Sequence, residues 1–359
     1  MNCRLAAVAS ARAATALVAF AAAAGALFAF ADVASAHTHL VWAGGTPKFQ
    51  KQLEHRFGAQ ANDFFPHVVT IHPGDAVEWQ GMSIGFHTVD VPGKGEGDIP
   101  FTIATDTKAA NLTDHAGNPF WFNGQPNLAL NPLLYAPSGG STYDGTTRAE
   151  SGLPLDKPVP FTLTFTKPGR YVYFCDVHSD MRGVVVVAPK GSPIPSATHQ
   201  ADTVAAQQAR DLEIARELER TRVRKGVSLG AAGAHGVEIL RMFPRSLHVR
   251  AGATVTFSLP AASGETHTVT FGPGAYLKPL QSSIAGPTPT ATAVYPSSRS
   301  GPIPVPGTHG NGFANSGLLD RDRDSRPPAK ARFRFTAPGR YHYVCLLHPF
   351  MTGTIFVSR

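Results

Sequence analysis

Two segments of the chain gather metal-ligating side chains at the same spacing. Near the C-terminus, Tyr341-His342-Tyr343-Val344-Cys345-Leu346-Leu347-His348-Pro349-Phe350-Met351 brings a thiolate, an imidazole and a thioether together, with the three ligand types at Cys345, His348 and Met351. Tyr171-Val172-Tyr173-Phe174-Cys175-Asp176-Val177-His178-Ser179-Asp180-Met181 repeats the pattern earlier in the chain. An upstream His followed by Thr-Val accompanies each segment, His87 in the first case and His267 in the second. The result is two sets, each of one Cys, two His and one Met.

Soft sulfur ligands combined with imidazoles suit copper held in both Cu(I) and Cu(II), and one Cys, two His and a weak axial Met describe a trigonal copper site. Alternate residues of a strand share a face, so Tyr171, Tyr173 and Cys175 project together, as do Tyr341, Tyr343 and Cys345. The chain must then turn within a few residues to return His and Met toward the same point. Pro349 stiffens that turn by fixing its own φ and biasing His348 toward an extended backbone. Because the remote His comes from another strand, each site bridges elements far apart in sequence. A buried structural Cys with core histidines and a packing Met is the competing reading of either copy alone. Two copies, each preceded by Pro-Gly-Arg-Tyr and followed by Gly and a β-branched run, weigh against it.

The elements needed to position these groups are short strands. Charged residues make up only 16% of the 359 residues, and 35 Gly with 30 Pro suit a loop-rich β protein. In the first half, Val68 to His72 and Val77 to Trp79 flank a turn at Pro73-Gly74-Asp75, and Phe86 to Val91 is a strand carrying His87. Phe161 to Phe165 leads to the Cys175 strand, and Gly183 to Val187 closes the half. The second half repeats this order: Met242-Phe243-Pro244 echoes Phe64-Phe65-Pro66, Val255 to Phe257 matches Val77 to Trp79, and His267 to Phe271 carries the ligand. The sequence therefore reads as duplication of a whole domain. Long Pro/Gly-rich inserts, about 92–160 and 272–328, exceed ordinary connections; Trp121, Phe122 and the Leu128 to Tyr135 segment indicate that the first folds against its sheet. Residues 46–63 read as polar and irregular, and Asp320-Arg321-Asp322-Arg323-Asp324 as a solvated loop tip. Between the halves, Asp202 to Lys225 reads as one surface helix, with Leu212, Ala215 and Leu218 as its apolar stripe and Glu213-Arg216 and Glu217-Arg220 as i,i+3 pairs. Its thin apolar seam makes a coiled-coil dimer the weaker alternative.

Both halves resemble cupredoxins, the plastocyanin/azurin family of small Greek-key copper proteins, and the Cys-x-x-His-x-x-Met spacing is nearest the amicyanin type. The resemblance implies an all-β chain of two cupredoxin-like barrels or sandwiches with long inserted loops. It implies the ligand sets His87, Cys175, His178 and Met181, and His267, Cys345, His348 and Met351, with one type 1 copper each. The first set departs from the pattern, since Ser179-Asp180 stands where the second has Pro349-Phe350. The expected organisation is an export signal over 1–36, a first cupredoxin domain over 37–188, a linker with a helix over 189–228 and a second domain over 229–359.

Arg4 and Arg12 precede an Ala-rich apolar run, and Ala34-Ser35-Ala36 fits a cleavage site, which implies export to the periplasm, cell surface or exterior. The run is close to spanning length, so an uncleaved anchor stays open. Cleavage after Ala36 would start the chain at His37-Thr38-His39, where a free amine and two imidazoles could bind Cu(II) or simply begin a strand. Cys175 and Cys345 are the only cysteines besides Cys3, which is no disulfide framework. The formal net charge of +7 is mild for this length and favours an acidic redox partner or an anionic surface polymer. There is no concentrated basic stripe with interleaved aromatics, which argues against nucleic acid.

One-electron transfer is the leading expectation, with His178 and His348 as the exposed edges through which an electron leaves. Copper storage, delivery or sensing would use the same ligands. A copper oxidase or nitrite reductase would need histidines beside the Cys, where the chain has Phe174 and Asp176, or Val344 and Leu346. His235, His309 and His342 are scattered singles.

Overall fold

A computed structural model describes residues 36–359 apart from 83–84, 105–107, 114–118, 123–127, 155–159, 276, 279–293, 297–302, 306–311 and 323–327. Residues 1–35 of the expected export signal, His309, and parts of both inserts and of the 320–324 run lie outside the described residues. The chain is all-β: the described residues hold two α-helices and many short strands arranged in two sandwiches.

Each sandwich has two sheets. In the first half, one sheet runs in the order Thr142–Tyr143, Phe161–Phe165, Ala76–Gln80, Thr38–Ala43, Phe64–Phe65. Its facing sheet runs Ala149–Glu150, Asp90–Val91, Gly169–Phe174, Arg182–Val187, Val68–Ile71. The second half repeats that second order strand for strand, as Ala314–Asn315, Thr270–Phe271, Gly339–Val344, Thr352–Ser358, Ser246–Arg250. Alternation explains the cores. Val77, Trp79, Leu163, Phe165 and Tyr173 are fully buried in the first half, and their counterparts Val255, Phe257, Phe333, Phe335 and Tyr343 in the second. A Cβ at Gly183 or Gly353 would stand 2.3 Å from the ring of Tyr173 or Tyr343, so only glycine lets each ring lie across the neighbouring strand.

The halves also share structure. The strand Ala59–Ala61, from the first half of the sequence, pairs antiparallel with Val237–Phe243 and so extends a sheet of the second half. In addition, Val294–Pro296 of the second insert pairs with Pro119–Phe122 of the first.

Residues 46–63, expected to be irregular, contain helix α1 (Pro47–Phe57). Its signals are ordinary. The Thr46 hydroxyl accepts from the Phe49 N–H, Pro47 occupies the first turn, and Gly58 ends the helix at φ 60. Phe49, Leu53 and Phe57 recur every four residues and are buried. Helix α2 (Ala197–Leu218) starts earlier and stops earlier than the expected Asp202 to Lys225, because Ser196 supplies the cap. The expected apolar stripe is the packed one: Ala215 is buried, with Leu212 and Leu218 partly so, against Phe49, Leu53, Phe65, Val237 and Ile239. The Glu213–Arg216 ion pair forms. The two helices thus seal a third core between the sandwiches. No described helix is long and apolar enough to cross a membrane.

Candidate metal centres

The strand Gly169–Phe174 delivers Cys175 to the inner end of the first sandwich, and the chain turns immediately afterwards. Two main-chain hydrogen bonds close the turn, from Cys175 N–H to Met181 O at 2.9 Å and from Met181 N–H to His178 O at 3.1 Å. The same pair recurs from Cys345 to Met351 at 3.0 Å and from Met351 to His348 at 2.8 Å. The turn therefore does not depend on proline. In the first copy Asp180 takes φ 67 and is exposed, while the Cys, His and Met around it are buried.

The remote histidines arrive from the chain that runs beside each Cys. The strand expected over Phe86 to Val91 is confined to Asp90–Val91, and His87 stands in the irregular approach, following Phe86 at φ 57. Gly44, at φ 73, and Gly85, at φ 86, make room for it: a Cβ on either would stand 2.9 Å or 3.0 Å from His87 Nε2. The Thr after each His then clamps the Cys segment. Thr88 N–H points at Cys175 Sγ at 3.4 Å and its hydroxyl accepts from Asp176 N–H at 2.9 Å. Thr268 repeats both contacts, to Cys345 Sγ at 3.3 Å and from Leu346 N–H at 2.8 Å. The His-Thr-Val motif is thus a structural lock as well as the source of a candidate ligand.

Three donor atoms converge in each half. His87 Nδ1 and His178 Nδ1 lie 3.1 Å apart, and Cys175 Sγ is 3.8 Å and 3.4 Å from them. His267 Nδ1 and His348 Nδ1 also lie 3.1 Å apart, with Cys345 Sγ at 3.7 Å and 3.6 Å. A point equidistant from all three atoms lies about 2 Å from each in either triangle, the length of an ordinary metal–imidazole bond. Met181 and Met351 are buried in the same cores as the cysteines. Six of the eight residues singled out from the sequence, His87, Cys175, His178, His267, Cys345 and His348, therefore bring their donor atoms together at two places, and Met181 and Met351 are tied to the two cysteines through the main chain.

Burial alone would raise the Cys175 thiol, but the facing His178 and His87 imidazoles hold it well below the usual thiol range. Cys345 is lowered as well, with burial opposed first by His267. Both cysteines are free and buried.

His178 is not an exposed edge, whereas His348 is partly exposed. The His178 side chain is 2% exposed, and its Nε2 lies 3.2 Å from Glu265 Oε1. His348, at 18%, places its Nε2 3.5 Å from the other oxygen of the same carboxylate, Glu265 Oε2. Gln60 and Asn62, carried by or beside the strand that crosses between the halves, also donate to Glu265 Oε1, Asn62 at 2.8 Å. Burial pushes the Glu265 carboxyl up, and the His178 imidazole beside it reverses the shift and holds it low. Nearby Glu238 accepts from Ser263 Oγ at 2.8 Å and Gly264 N–H at 2.5 Å, and burial raises its pKa to about 8. Sequence reasoning missed Glu265. Its only local signal is an acid two positions before His267, where the first half has Gly85 before His87.

One further difference stands against the sequence reading. Asp320 is no loop tip: it is 1% exposed and accepts from Thr266 Oγ1, from the N–H groups of Arg321 and Asp322, and from Ser179 Oγ at 3.3 Å. His37 and His39 stand at the start of the strand Thr38–Ala43, where the His37 main-chain N–H donates to Asp75 Oδ1 at 2.9 Å and His39 Nε2 lies 3.5 Å from Asp75 Oδ2.

Beside Cys175 lies a buried trio, Asp90, Glu150 and Asp176, with oxygens within 4.8 Å of one another. Arg148 pairs with Asp90. Burial, then mutual repulsion, raises Glu150 to about 10 and Asp176 to about 9. At the matching strand positions the second half has Thr270 bonded to Asn315, and Leu346 follows its Cys.

No family model and no curated protein matches the chain. Solved structures similar to it include the Cu(I) form of a methionine-to-alanine mutant of amicyanin, 22% identical over 32% of this chain and 70% of that one, with a TM-score of 0.19. The reduced form of a tryptophan-to-tyrosine mutant of amicyanin is 20% identical over 39% of this chain and 89% of that one, with a TM-score of 0.22.

Proposed function

We propose that the chain is an exported electron carrier holding one type 1 copper in each half, His87, Cys175, His178 and Met181 at one site and His267, Cys345, His348 and Met351 at the other. The observation that carries this reading is the repeated triangle of two Nδ1 atoms and one Sγ, whose size suits a bound metal ion. Bound there, copper supplies a one-electron Cu(I)/Cu(II) couple. The protein holds the triangle fixed: the Thr88 and Thr268 N–H groups meet the sulfurs, and the closed turns tie each Cys to its His and Met. Such rigidity favours a geometry shared by both oxidation states. The burial of Cys175, His87, His178, Cys345 and His267 favours a retained redox centre over storage or delivery, which needs an accessible and labile site. A redox protein outside the cytoplasmic membrane is the partner this reading calls for, and the carrier turns over no substrate of its own.

The test is the visible absorption spectrum of the copper-loaded exported form, with copper counted per chain. Two coppers and an intense thiolate-to-copper band are expected, with about half the band lost in Cys175→Ser and half in Cys345→Ser. One copper, with the band abolished by Cys345→Ser alone, would mean a single working site. No band at all would reject the electron-carrier reading.

A further inference from the structure

Each ligand histidine after a Cys directs Nδ1 into its own triangle, which leaves Nε2 as its only other polar atom. In both halves that atom meets Glu265, one imidazole on each carboxylate oxygen. Glu265 is itself buried, at 3% exposure, so water does not compete for the oxygens. The other groups facing it are the amides of Gln60 and Asn62, both on Oε1, and the Glu238 carboxyl. Main-chain contact fixes the approach: Ser179 N–H, next to His178, donates to Gly264 O at 3.0 Å, next to Glu265.

We propose that Glu265 joins the two centres into one electronic pair, its carboxylate forming a continuous hydrogen-bonded path from His178 Nε2–H to His348 Nε2–H. This rests on the two-copper reading above. Along the path one electron leaves the reduced centre and one arrives at the oxidised centre. No atom is transferred, and each proton stays on its Nε2. Because one negative charge lies against a ligand of both centres, it stabilises the oxidised, more positive state of each and lowers both midpoint potentials. Coupling of this kind would let the protein carry two electrons as a unit, with an electron entering at either half shared by both.

Glu265→Gln separates this role from simple packing. Glutamine keeps the volume and offers one acceptor oxygen. The amides of Gln60 and Asn62 hold that oxygen at the His178 side, so the new amide group must face His348 donor to donor. The experiments use the full two-copper chain. Proton–nitrogen NMR of the all-Cu(I) form should show two downfield Nε2–H signals in the wild type and one in Glu265→Gln. Spectroelectrochemical titration should show both midpoint potentials rising, while the thiolate–copper bands and the copper count persist. After pulse reduction of one centre, exchange between centres should slow by about tenfold, the rate equivalent of a barrier raised by about 1.4 kcal/mol. Two wild-type imidazole signals in rapid exchange with water, or unchanged potentials and exchange rate in Glu265→Gln, would overturn the proposal. Should Glu265→Gln not fold, the wild-type NMR signals and the Glu265→Asp variant, whose shorter reach cannot span both imidazoles, decide the matter. Failure of the two-copper reading is distinct: the wild type itself would then lack the charge-transfer band.

Discussion

Ser179 and Gly264 join the two halves by a main-chain hydrogen bond beside the turn that carries His178. Ser179 N–H donates to Gly264 O at 3.0 Å, and a Cβ on residue 264 would stand 2.6 Å from Ser179 O. The atom in the way is main chain and sits in the turn that positions His178, so it has no rotamer by which to retreat. Gly264→Ala should therefore act as overpacking and cost about 1–3 kcal/mol. The measurement is the urea midpoint of the full chain, with the visible band proposed for the His178 centre followed alongside. An unchanged midpoint would mean that the turn is free to shift and that the halves are not locked here.

The helices make a second, separate prediction. Leu53 is fully buried among Phe49, Phe57, Ala215 and Ile239, in the third core that the helices close between the sandwiches. Leu53→Ala should cost about 2–5 kcal/mol through lost burial and the cavity left behind. On the two-copper reading, the band of the second centre should survive in the folded protein, since none of its ligands lines the cavity that Leu53 shares with His87. Denaturation followed by fluorescence and by the copper band tests both statements, and a loss of less than about 0.5 kcal/mol would place α1 outside the cooperative unit.

The site was legible because its chemistry is local. Cys175, His178 and Met181 lie within one turn, the same holds for Cys345 to Met351, and the repeat fixes the meaning of His87 and His267 by position. The strand alternation around Trp79, Phe165, Phe257 and Phe335 was readable for the same reason. Helix α1 was also written locally, in Thr46, Pro47, the Phe49-Leu53-Phe57 spacing and Gly58, but the polar residues between them masked the stripe. What the sequence does not display is the juxtaposition of halves. Nothing near Glu265 says that His178 lies opposite, because that contact is made across distant chain segments. The exposed-edge role expected for His178 failed there, while His348 stays partly exposed. The same holds for Asp320, whose run of alternating charges looks solvated until Thr266 and Ser179 close over it.

Asp320 provides a sharp contrast between those two views. As a solvated loop residue, Asp320→Ala would change stability by no more than about 0.5 kcal/mol. In the observed arrangement the substitution strands the N–H groups of Arg321 and Asp322 and the Thr266 hydroxyl, all satisfied by this carboxylate. A loss of about 1–3 kcal/mol is expected. Asp320→Asn, which keeps one acceptor, should recover part of it. Thermal denaturation of the three proteins side by side decides the point, and equal melting temperatures would contradict the buried arrangement.

Glu150 gives the pH dependence. Its Oε1 accepts from Gly152 N–H at 3.0 Å, its Oε2 has no partner, and burial with the adjacent Asp176 and Asp90 charges raises its pKa to about 10. An unfolded glutamate titrates near pH ~4.3, so between that value and about 10 the folded chain holds a proton that the unfolded chain has released. Stability contributed by the neutral acid is complete below pH ~4.3 and drains away as pH rises toward the folded value, with a slope of at most about 1.4 kcal/mol per pH unit for one proton. Glu150→Gln keeps the shape and removes the proton from the balance. With copper content held constant, the variant should lose less stability than the wild type between pH 6 and 9 (about three units of the window). Identical slopes in the two proteins would show that Glu150 is ionised in the folded state and that Asp90 and Asp176 carry the protons of the trio.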